Sequence, residues 1–248
     1  MAHVETYSYG QGKLYLAVRD ATGNIGAQRW VGDVSELSVS LSVESFEHTE
    51  SYSGARQKVR KIITGKSGEV SAKFHELSIE NLSLTLLGSA SKKESASVTG
   101  EKLPTEIKNG DRIVLANPDI SEVEIGSLVE GKDYKIDPIF GAIEFLKDIS
   151  DNTDTVAYKH GASESVAMLT ENPKDLFLRF EGENLAELNE WTIVELYKVN
   201  FNPTEAFNLI NNDNSLDALS TKAQVLADTT KIGDKALGRF GRVIKIRK

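Results

Sequence analysis

The sequence predicts a mainly β protein whose core is an antiparallel sandwich or barrel, and three observations lead to this fold class. Polar and apolar residues alternate at positions 37–44 and again at positions 69–75, which is the pattern of half-buried strands. Shorter strand-like segments follow along the chain, at 13–19, 28–32, 176–181, 192–201 and 242–246. Long stretches with helical periodicity are scarce, and this combination is typical of an all-β architecture.

The two alternating segments each predict one apolar and one polar face. Side chains alternate across a strand, so Val39, Leu41, Val70 and Phe74 are expected to point into the sandwich. The polar positions between the apolar ones share the opposite face: Glu36, Ser38, Ser40, Ser42, Glu69, Ser71 and Lys73.

Between these strands the sequence predicts a long loop, residues 44–66, instead of a tight hairpin. The first part of the loop is acidic, its middle contains tyrosine and glycine, and its last part is basic. The residues concerned are Glu44, Glu47, Glu50, Tyr52, Gly54, Arg56, Lys58, Arg60 and Lys61. Long ordered connections are usually functional. A loop that is acidic on its way out and basic on its way back indicates contact with another copy of the chain.

One helix is predicted to flank the sheet, at residues 78–87. Ser78 is a good N-cap, Glu80 lies in the first turn, and Gly88 follows the last apolar residue. Leu82 and Leu86 lie on one face, which we expect to close one side of the core.

Composition shifts suggest that the β core is discontinuous. A stretch rich in Ser, Lys and Glu near residues 89–96 indicates a linker, and residues 97–168 contain short strands and turns that predict an inserted β-rich module. The core is then residues 1–93 and 169–230. In the module, residues 134–146 predict a hairpin that turns through 137–141, with Pro138 early and Gly141 late.

The charge of the chain is uneven along its length. The net charge is −8, but residues 231–248 contain seven Lys or Arg against one acid, which leaves −14 on the first 230 residues. An acidic body repels phosphates and binds nucleic acid poorly. The basic C-terminal segment contains flexible glycines and is expected to dock on a neighbouring subunit.

The composition also narrows the classes of protein. With 248 residues, 40% apolar and 27% charged, the chain fits a folded globular protein. No apolar run approaches the roughly 18 residues of a membrane span, and the first residues lack the features of a secretory signal. We therefore expect folding in a cytoplasm. The absence of cysteine excludes disulfides and thiolate metal sites.

A search for chemical motifs predicts no catalytic, cofactor or metal site. The four histidines are far apart in sequence without helical pairing, and no phosphate-binding loop or nucleophile elbow is present. Carboxylates are plentiful, so a paired-acid hydrolase site stays open as an alternative. The favoured expectation is that the protein is not an enzyme.

Several blocks, taken in their order along the chain, resemble one known family. The blocks are GQGKLYLAVRD, RWVGDVSELSVSLSVESFEHTESYSGARQ, ENLSLTLLGS, DYKIDPIFGAIEFL, LRFEGEN, VELYKVNFNP, VLADTT and LGRFGRV. They resemble the tail tube (major tail) proteins of long-tailed, lambda-like double-stranded DNA phages and prophages, over most of the chain. The tyrosine, serine and glycine at 52–54 and the predicted hairpin at 134–146 are the most distinctive pieces.

The resemblance implies a β-sandwich with a flanking helix, six copies in a ring, and rings stacked head-to-tail into a tube in the virion tail. It implies that the loop at 44–66 reaches the next ring and that 78–87 is the flanking helix. The implied partners are other copies, the tape measure, terminator and tail-tip proteins, and double-stranded DNA that passes without specific binding. If the two core strands line the channel, the polar face from Glu36 to Lys73 faces the lumen.

The alternative is another β-rich virion, tail-tip or carbohydrate-binding module. Such a binder should expose aromatic platforms, but Trp30 and Trp191 lie beside strand patterns that indicate core positions.

Overall fold

The computed structural model describes residues 7–150, 154–187, 189–231 and 236–248. The chain divides into two units, one formed by Met1–Ser89 with Val166–Lys248 and the other by Ala90–Ser165. The second unit overlaps the module predicted at 97–168, although it begins and ends earlier. Both units are built from antiparallel sheets, so the protein is mainly β.

The described residues form sixteen strands and one short α-helix. In chain order they are β1 (Gly10–Val18), β2 (Arg29–Trp30), β3 (Val34–Thr49), β4 (Lys58–Phe74), α1 (Ile79–Thr85), β5 (Ser89–Lys93), β6 (Ala96–Lys102), β7 (Arg112–Val114), β8 (Ile120–Ile125), β9 (Tyr134–Asp137), β10 (Ala142–Phe145), β11 (Thr155–His160), β12 (Ser163–Ala167), β13 (Asp175–Asn184), β14 (Glu190–Phe201), β15 (Leu219–Val225) and β16 (Gly241–Arg247). A 3₁₀ turn occupies Thr229–Lys231.

An eight-stranded sheet forms the first unit, in the order β2-β1-β13-β14-β15-β4-β3, with β16 paired to the remaining part of β14. Its core contains side chains from β1, β4, β13, β14 and β15, including Leu14, Phe74, Leu178, Phe201 and Leu219. These five strands run consecutively through the sheet from β1 to β4, so one continuous sheet supplies all the strands of this core.

The helix begins where the sequence predicts. Ser78 is its N-cap, and the backbone N–H of Asn81 donates to Ser78 Oγ over 3.3 Å. The helix ends at Thr85, two residues before the predicted 87. Leu82 and Leu84 pack against the core, but the fully buried helical residues are polar, Asn81 and Thr85.

Hydrogen bonds explain why polar side chains occupy this buried helix face. Asn81 Nδ2 donates to the carbonyl oxygens of Val31 at 2.8 Å and of Glu76 at 2.9 Å. Thr85 Oγ1 donates to the Asn81 carbonyl at 2.9 Å. These bonds fasten the helix to the chain before β3 and after β4. Within the described part of the chain, none of the helices is both long and apolar enough to span a membrane.

The second unit contains two three-stranded sheets, β7-β10-β9 and β6-β11-β8. They pack around a core that includes Ile143, Phe145 and Val156. The hairpin predicted at 134–146 is confirmed, since β9 pairs with β10 from Tyr134 opposite Phe145 to Asp137 opposite Ala142. Gly141 closes the turn at a φ of +61°. Any other residue at this position would place its Cβ 2.2 Å from the Asn117 carbonyl oxygen.

The predicted long loop at 44–66 is replaced by two long strands. β3 continues to Thr49 and β4 already begins at Lys58, so only residues 50–57 connect them. The returning segment is rich in β-branched residues, Val59, Ile62, Ile63 and Thr64, which favour the strand conformation. The sequence pattern missed this extension because the strict polar/apolar alternation ends near Glu44.

The basic C-terminal segment also differs from its prediction. Residues 232–235 lie outside the described residues, but Gly241–Arg247 form β16, which pairs with β14 of the same chain. Arg242 Nε donates to Glu195 Oε2 over 2.6 Å, and Arg247 forms an ion pair with Glu190. The acidic residues that attract this segment are therefore on the neighbouring strand of its own sheet.

Candidate assembly surface

The β3–β4 hairpin has a proximal part inside the sheet and a distal part beyond it. β15 pairs with β4 only from Phe74 to Gly68. From Ser67 to the tip, β3 and β4 pair with each other alone. We call residues 41–67 the distal hairpin. A two-stranded ribbon of this kind is marginally stable in water unless something packs against it.

The polar residues predicted to share one face do share it. The strand register sets Glu36 opposite Lys73, Ser38 opposite Ser71, and Ser40 opposite Glu69. β15 continues this face with Ser220, Lys222 and Gln224, which are all exposed. We call these three-strand positions the polar face.

Ion pairs neutralise much of the charge on the polar face. Lys73 Nζ lies 2.8 Å from Glu36 Oε2, and Lys222 Nζ lies 3.1 Å from Glu205 Oε1. The hydrogen bond that Lys222 donates to Glu205, together with the negative charge of Glu205, raises the pKa of Lys222, and Glu69 adds to the effect. Both lysines of this face therefore have an acidic partner, and neither presents an uncompensated positive charge.

The apolar side of the hairpin is buried only in its proximal part. Val70 and Phe74 are 0% exposed, as predicted, but Val39 is 40% exposed and Leu41 is 76% exposed. Val39 lies directly opposite Val70 and so shares the core-facing side, but it is only partly covered, and the expected burial fails at Leu41. β15, the strand beside β4, ends at Val225 opposite Gly68, so beyond this point the sheet narrows to β3 and β4 alone.

Large exposed apolar side chains continue along the distal hairpin to its tip. They occur on both of its strands and on both of its faces: Leu41, Val43, Phe46, Tyr52, Val59, Ile62 and Ile63. Phe46 lies directly opposite Ile62, and Val43 lies opposite Lys66. Large exposed apolar side chains concentrated on one element in this way make it a candidate interaction site.

A buried carboxylate shapes the tip of the hairpin. Glu50 accepts hydrogen bonds from the backbone N–H groups of Tyr52 at 2.9 Å, Ser53 at 2.8 Å and Gln57 at 3.3 Å, and from Ser53 Oγ. These bonds, led by the one from the Ser53 hydroxyl, lower the pKa of Glu50 to about 2. Gly54 turns the chain at a φ of +75°. The tip is thus held in a defined conformation with Tyr52 85% exposed.

The acidic and basic residues of the predicted loop lie on the two paired strands of the hairpin. Glu47 is directly opposite Lys61 and forms an ion pair with Lys58. The hydrogen bond from Lys58, with its charge, lowers the pKa of Glu47. His48 lies opposite Arg60, and Glu44 lies opposite Gly65. The acidic and basic strands therefore neutralise part of each other's charge within one chain. The sequence had predicted that these charges pair between copies.

A surplus of positive charge remains on the distal hairpin. It contains three carboxylates, at 44, 47 and 50, against five bases, Arg56, Lys58, Arg60, Lys61 and Lys66, on a chain whose net charge is −8. The hairpin is consequently a basic element of an acidic protein. This polarity suits contact with the acidic body of a second copy.

Exposed aromatic residues also occur away from the hairpin. Trp30, expected in the core, is 49% exposed, and Lys13 Nζ lies 5.4 Å from its ring centroid. The position of its own strand explains the exposure, because Trp30 lies on β2, a two-residue strand at the edge of the sheet. In the second unit, Ile139 and Phe140 are exposed at the turn between β9 and β10.

The described residues contain no group of three or more His, Cys, Asp or Glu side chains arranged to hold a metal ion. His75 Nδ1 lies 3.0 Å from the Asp217 carbonyl oxygen, and His160 Nδ1 lies 2.8 Å from the Gly161 carbonyl oxygen. Each of these two histidines therefore has a local backbone contact.

Residues 7–244 match a protein family described as "Protein of unknown function UCP028589". No curated protein matches the chain.

Proposed function

The chain belongs to that family, and we propose that it is the tail tube subunit of a long-tailed, lambda-like double-stranded DNA phage or prophage. Six copies form a ring, and rings stack head-to-tail into a hollow tube of the virion tail after synthesis in the host cytoplasm. The tape measure, terminator and tail-tip proteins are its partners in the tail. Its role is structural and not enzymatic.

The observation that carries this proposal is the distal hairpin. Seven large apolar side chains are exposed on a two-stranded ribbon that has no covering layer among the described residues of its own unit. Burying them against another copy yields about 25 cal/mol for each Å² of apolar surface removed from water. Self-association therefore stabilises a structure that is marginal in the isolated chain.

The contact is expected to be heterologous, because the hairpin differs in charge and shape from the rest of its unit. A heterologous contact that joins one surface to a different surface generates rings when the rotation closes and open filaments when it does not. Closure within a ring and continued stacking along an axis together produce a tube. The long free edge of β3 adds unpaired backbone groups that a neighbouring strand can use.

The polar face supports the proposed passage of DNA. Its serines offer no charge, and its two lysines are each paired with a carboxylate. DNA carries one negative charge per roughly 1.7 Å of duplex axis, so a lumen with unpaired bases would retain it. A neutral or weakly acidic lumen lets the genome slide without specific binding.

The first test is the assembly state of the purified wild-type protein. We expect sedimentation velocity to show a concentration-dependent increase in mass, and negative-stain electron microscopy to show rings or tubes whose walls are a single subunit layer thick. Monodisperse monomers at every concentration would contradict the proposal.

A matched pair of variants tests whether the distal hairpin causes the assembly. Leu41→Ser with Val43→Ser removes exposed apolar surface and should leave the stability of the monomer within about 0.5 kcal/mol of wild type. Assembly should fail. Val114→Ser with Val129→Ser makes the same kind of change at exposed positions of the second unit, and tubes should form normally. Equal loss of assembly in both variants would remove the special role of the hairpin.

The lumen assignment has its own test. Ser40→Lys with Ser71→Lys adds two positive charges to the polar face, and tubes should still form. We expect such tubes to retain duplex DNA in a filter-binding assay at low ionic strength, and to release it as salt screens the charge. If the variant tubes retain no DNA at either low or high ionic strength, this face lies outside the lumen.

A carbohydrate-binding module is the second candidate, and exposed Trp30 is the observation that favours it. Aromatic faces stack on sugar rings in such modules. Under this alternative, Trp30→Ala should abolish binding to a glycan array while the wild-type protein stays monomeric. Under the tail tube proposal, the wild type binds no glycan and Trp30→Ala still assembles.

A further inference from the structure

The first unit contains a pocket of about 400 Å³ between α1 and the ends of β1 and β13. Its apolar lining comes from these three elements and the residues that flank them: Leu16, Val18, Leu84, Leu87 and Leu176. This volume is within the range of sites that accept an aromatic group. The pocket lies beside the helix and away from the polar face.

One polar group in the pocket wall lacks a hydrogen-bond partner in the part of the chain that the structure describes, and a charged group in the same wall is partly buried. Ser83 Oγ is buried and has no hydrogen-bond partner among the described residues. Arg29 also lines the pocket, where burial lowers the pKa of its guanidinium and the Glu80 carboxylate opposes this change. A buried hydroxyl without a partner is unfavourable, because it has lost its hydrogen bonds to water and gained none in return. The pocket therefore favours an occupant that is mostly apolar but ends in a hydroxyl group.

Tyr52 has this chemistry and projects from the tip into solvent. Its side chain is 85% exposed, and the hydrogen bonds of Glu50 to the backbone at 52, 53 and 57 fix the tip that carries it. A preorganised aromatic side chain loses little conformational entropy when it binds. Tyrosine is also enriched among the residues that dominate binding energy in interfaces.

The tip of the hairpin and helix α1 lie at opposite ends of β4. β4 contains 17 residues from Lys58 beside the tip to Phe74, so at roughly 3.3 Å per residue the ends are about 55 Å apart. α1 begins at Ile79, shortly after β4 ends. A tip that binds the pocket of another copy therefore joins unlike ends, which is the head-to-tail relation that stacking requires.

The pocket wall carries two acids, Glu80 and Glu171, and two bases, Arg29 and Lys174, so the acidic character at this end comes from the helix segment. Residues 75–88, which contain α1, carry Glu76 and Glu80 and no Lys or Arg. The tip and its returning strand carry Arg56, Lys58, Arg60 and Lys61. Attraction between them would orient an approaching copy before the apolar contact forms.

We infer that Tyr52 of one copy inserts into the pocket between α1, β1 and β13 of the next copy, where its hydroxyl donates a hydrogen bond to Ser83 Oγ. This inference rests on the proposed self-assembly and specifies its acceptor site. Glu50 is a positioning residue in this contact, because it acts through the conformation of the tip.

The absence of cysteine in the chain allows a direct test by disulfide trapping. Tyr52→Cys and Ser83→Cys are prepared as separate full-length variants, and the two are mixed, assembled and oxidised with oxidised glutathione. We expect a disulfide that joins one molecule of each variant, with the two thiols losing their protons and electrons to glutathione. Leu209→Cys, which is 79% exposed on the chain between β14 and β15, replaces Ser83→Cys in the control and should give no specific dimer.

Substitutions of Tyr52 separate the contribution of its ring from that of its hydroxyl group. Tyr52→Phe should raise the concentration needed for assembly several-fold, and Tyr52→Ala should raise it by more than about tenfold, since a central aromatic anchor is lost. In a Ser83→Ala background, adding Tyr52→Phe should change the assembly concentration much less, because the tyrosine hydroxyl then has no acceptor to lose.

The outcomes separate this inference from the function on which it rests. If wild-type tubes form but the Tyr52→Cys and Ser83→Cys pair does not cross-link above its control, the pocket assignment is wrong and the structural role stands. If the disulfide forms only when both cysteines are placed in one monomeric chain, the tip folds back and the assignment is also wrong. If the wild type never assembles, both proposals fail.

Discussion

The proximal and distal parts of the β3–β4 hairpin have related sequence patterns but different surroundings. In the proximal part Val70 and Phe74 are completely buried, whereas in the distal part Leu41 is 76% exposed. The strands are continuous across this boundary. What changes is β15, which ends opposite Gly68. Alternation therefore determines which side chains share a face, but the width of the sheet and the chain packed against that face determine whether it is buried.

Substituting one phenylalanine in each part should give the largest contrast. Phe74→Ala removes a fully buried ring that lies 6.3 Å from the Phe201 ring, and should lower the free energy of unfolding by about 3–5 kcal/mol. Phe46→Ala removes a ring that is exposed in the isolated chain, and should change it by less than about 0.5 kcal/mol. Urea unfolding of dilute protein measures both values.

In assembly the order should reverse, so that Phe46→Ala has the larger effect of the two variants. Phe46→Ala should raise the concentration at which large particles appear in sedimentation. A loss of stability in Phe46→Ala comparable to that in Phe74→Ala would mean that the distal hairpin is already covered within one chain.

The C-terminal strand sharpens the comparison because it was expected to dock on a neighbouring subunit and instead pairs with β14 of its own sheet. Glu195 is buried and accepts from Arg242 at 2.6 Å, with Arg179 as its second partner. Arg242→Met should leave one carboxylate oxygen poorly satisfied and lower the free energy of unfolding by about 1–3 kcal/mol. Thermal unfolding at fixed protein concentration provides the measurement.

Lys245→Met is the matched control on β16, since Lys245 lies on the same strand but is exposed, whereas Arg242 is half-buried. We expect its stability to equal that of wild type within about 0.5 kcal/mol. If instead Arg242→Met melts like wild type but assembles poorly, then β16 acts between subunits.

Acid should loosen the tip without unfolding the core. The pKa of Glu50 in the folded protein, about 2, is below its ordinary value of 4.5. A depressed pKa contributes stability that is fully present above pH 4.5 and is lost as the pH falls toward 2. The amide resonances of Tyr52 and Ser53 in NMR spectra should therefore shift within this window, while those of Val70 should move little there.

Glu50→Gln provides the control for the acid experiment. An amide keeps one acceptor oxygen but loses the charge, so the Tyr52 and Ser53 amides should be mobile at neutral pH. Unchanged spectra in this variant would show that the tip conformation does not depend on the carboxylate.

Local patterns predicted much of the fold. The strands, the polar face, the Ser78 cap and the hairpin at 134–146 follow from periodicity, capping and turn chemistry. The extension of β3 and β4 through 44–66 did not follow, because Phe46 and Ile62 become neighbours only through register. The burial of Asn81 depends on the Val31 carbonyl, 50 residues away in sequence, and no local signal indicates such a partner.

The features of the candidate assembly surface were predicted in part. The sequence identified the segment and its tyrosine, Tyr52, but it assigned the acidic and basic residues to contacts between copies. The Glu47–Lys58 ion pair shows that some of this charge is used within the hairpin. The exposed apolar residues were missed because Leu41 and Val43 have the pattern of core residues, and only the length of β15 reveals that nothing in the described sheet covers them.

Hydrogen–deuterium exchange at two protein concentrations tests the central claim most directly. The backbone of residues 68–74 lies between β3 and β15 and should exchange slowly both in dilute monomers and in concentrated assemblies. The backbone of residues 41–49 and 58–67 should exchange quickly in dilute protein and become protected only when copies assemble. Equal protection of the distal hairpin at both concentrations, under conditions where sedimentation shows assembly, would contradict its role as the surface that joins one subunit to the next.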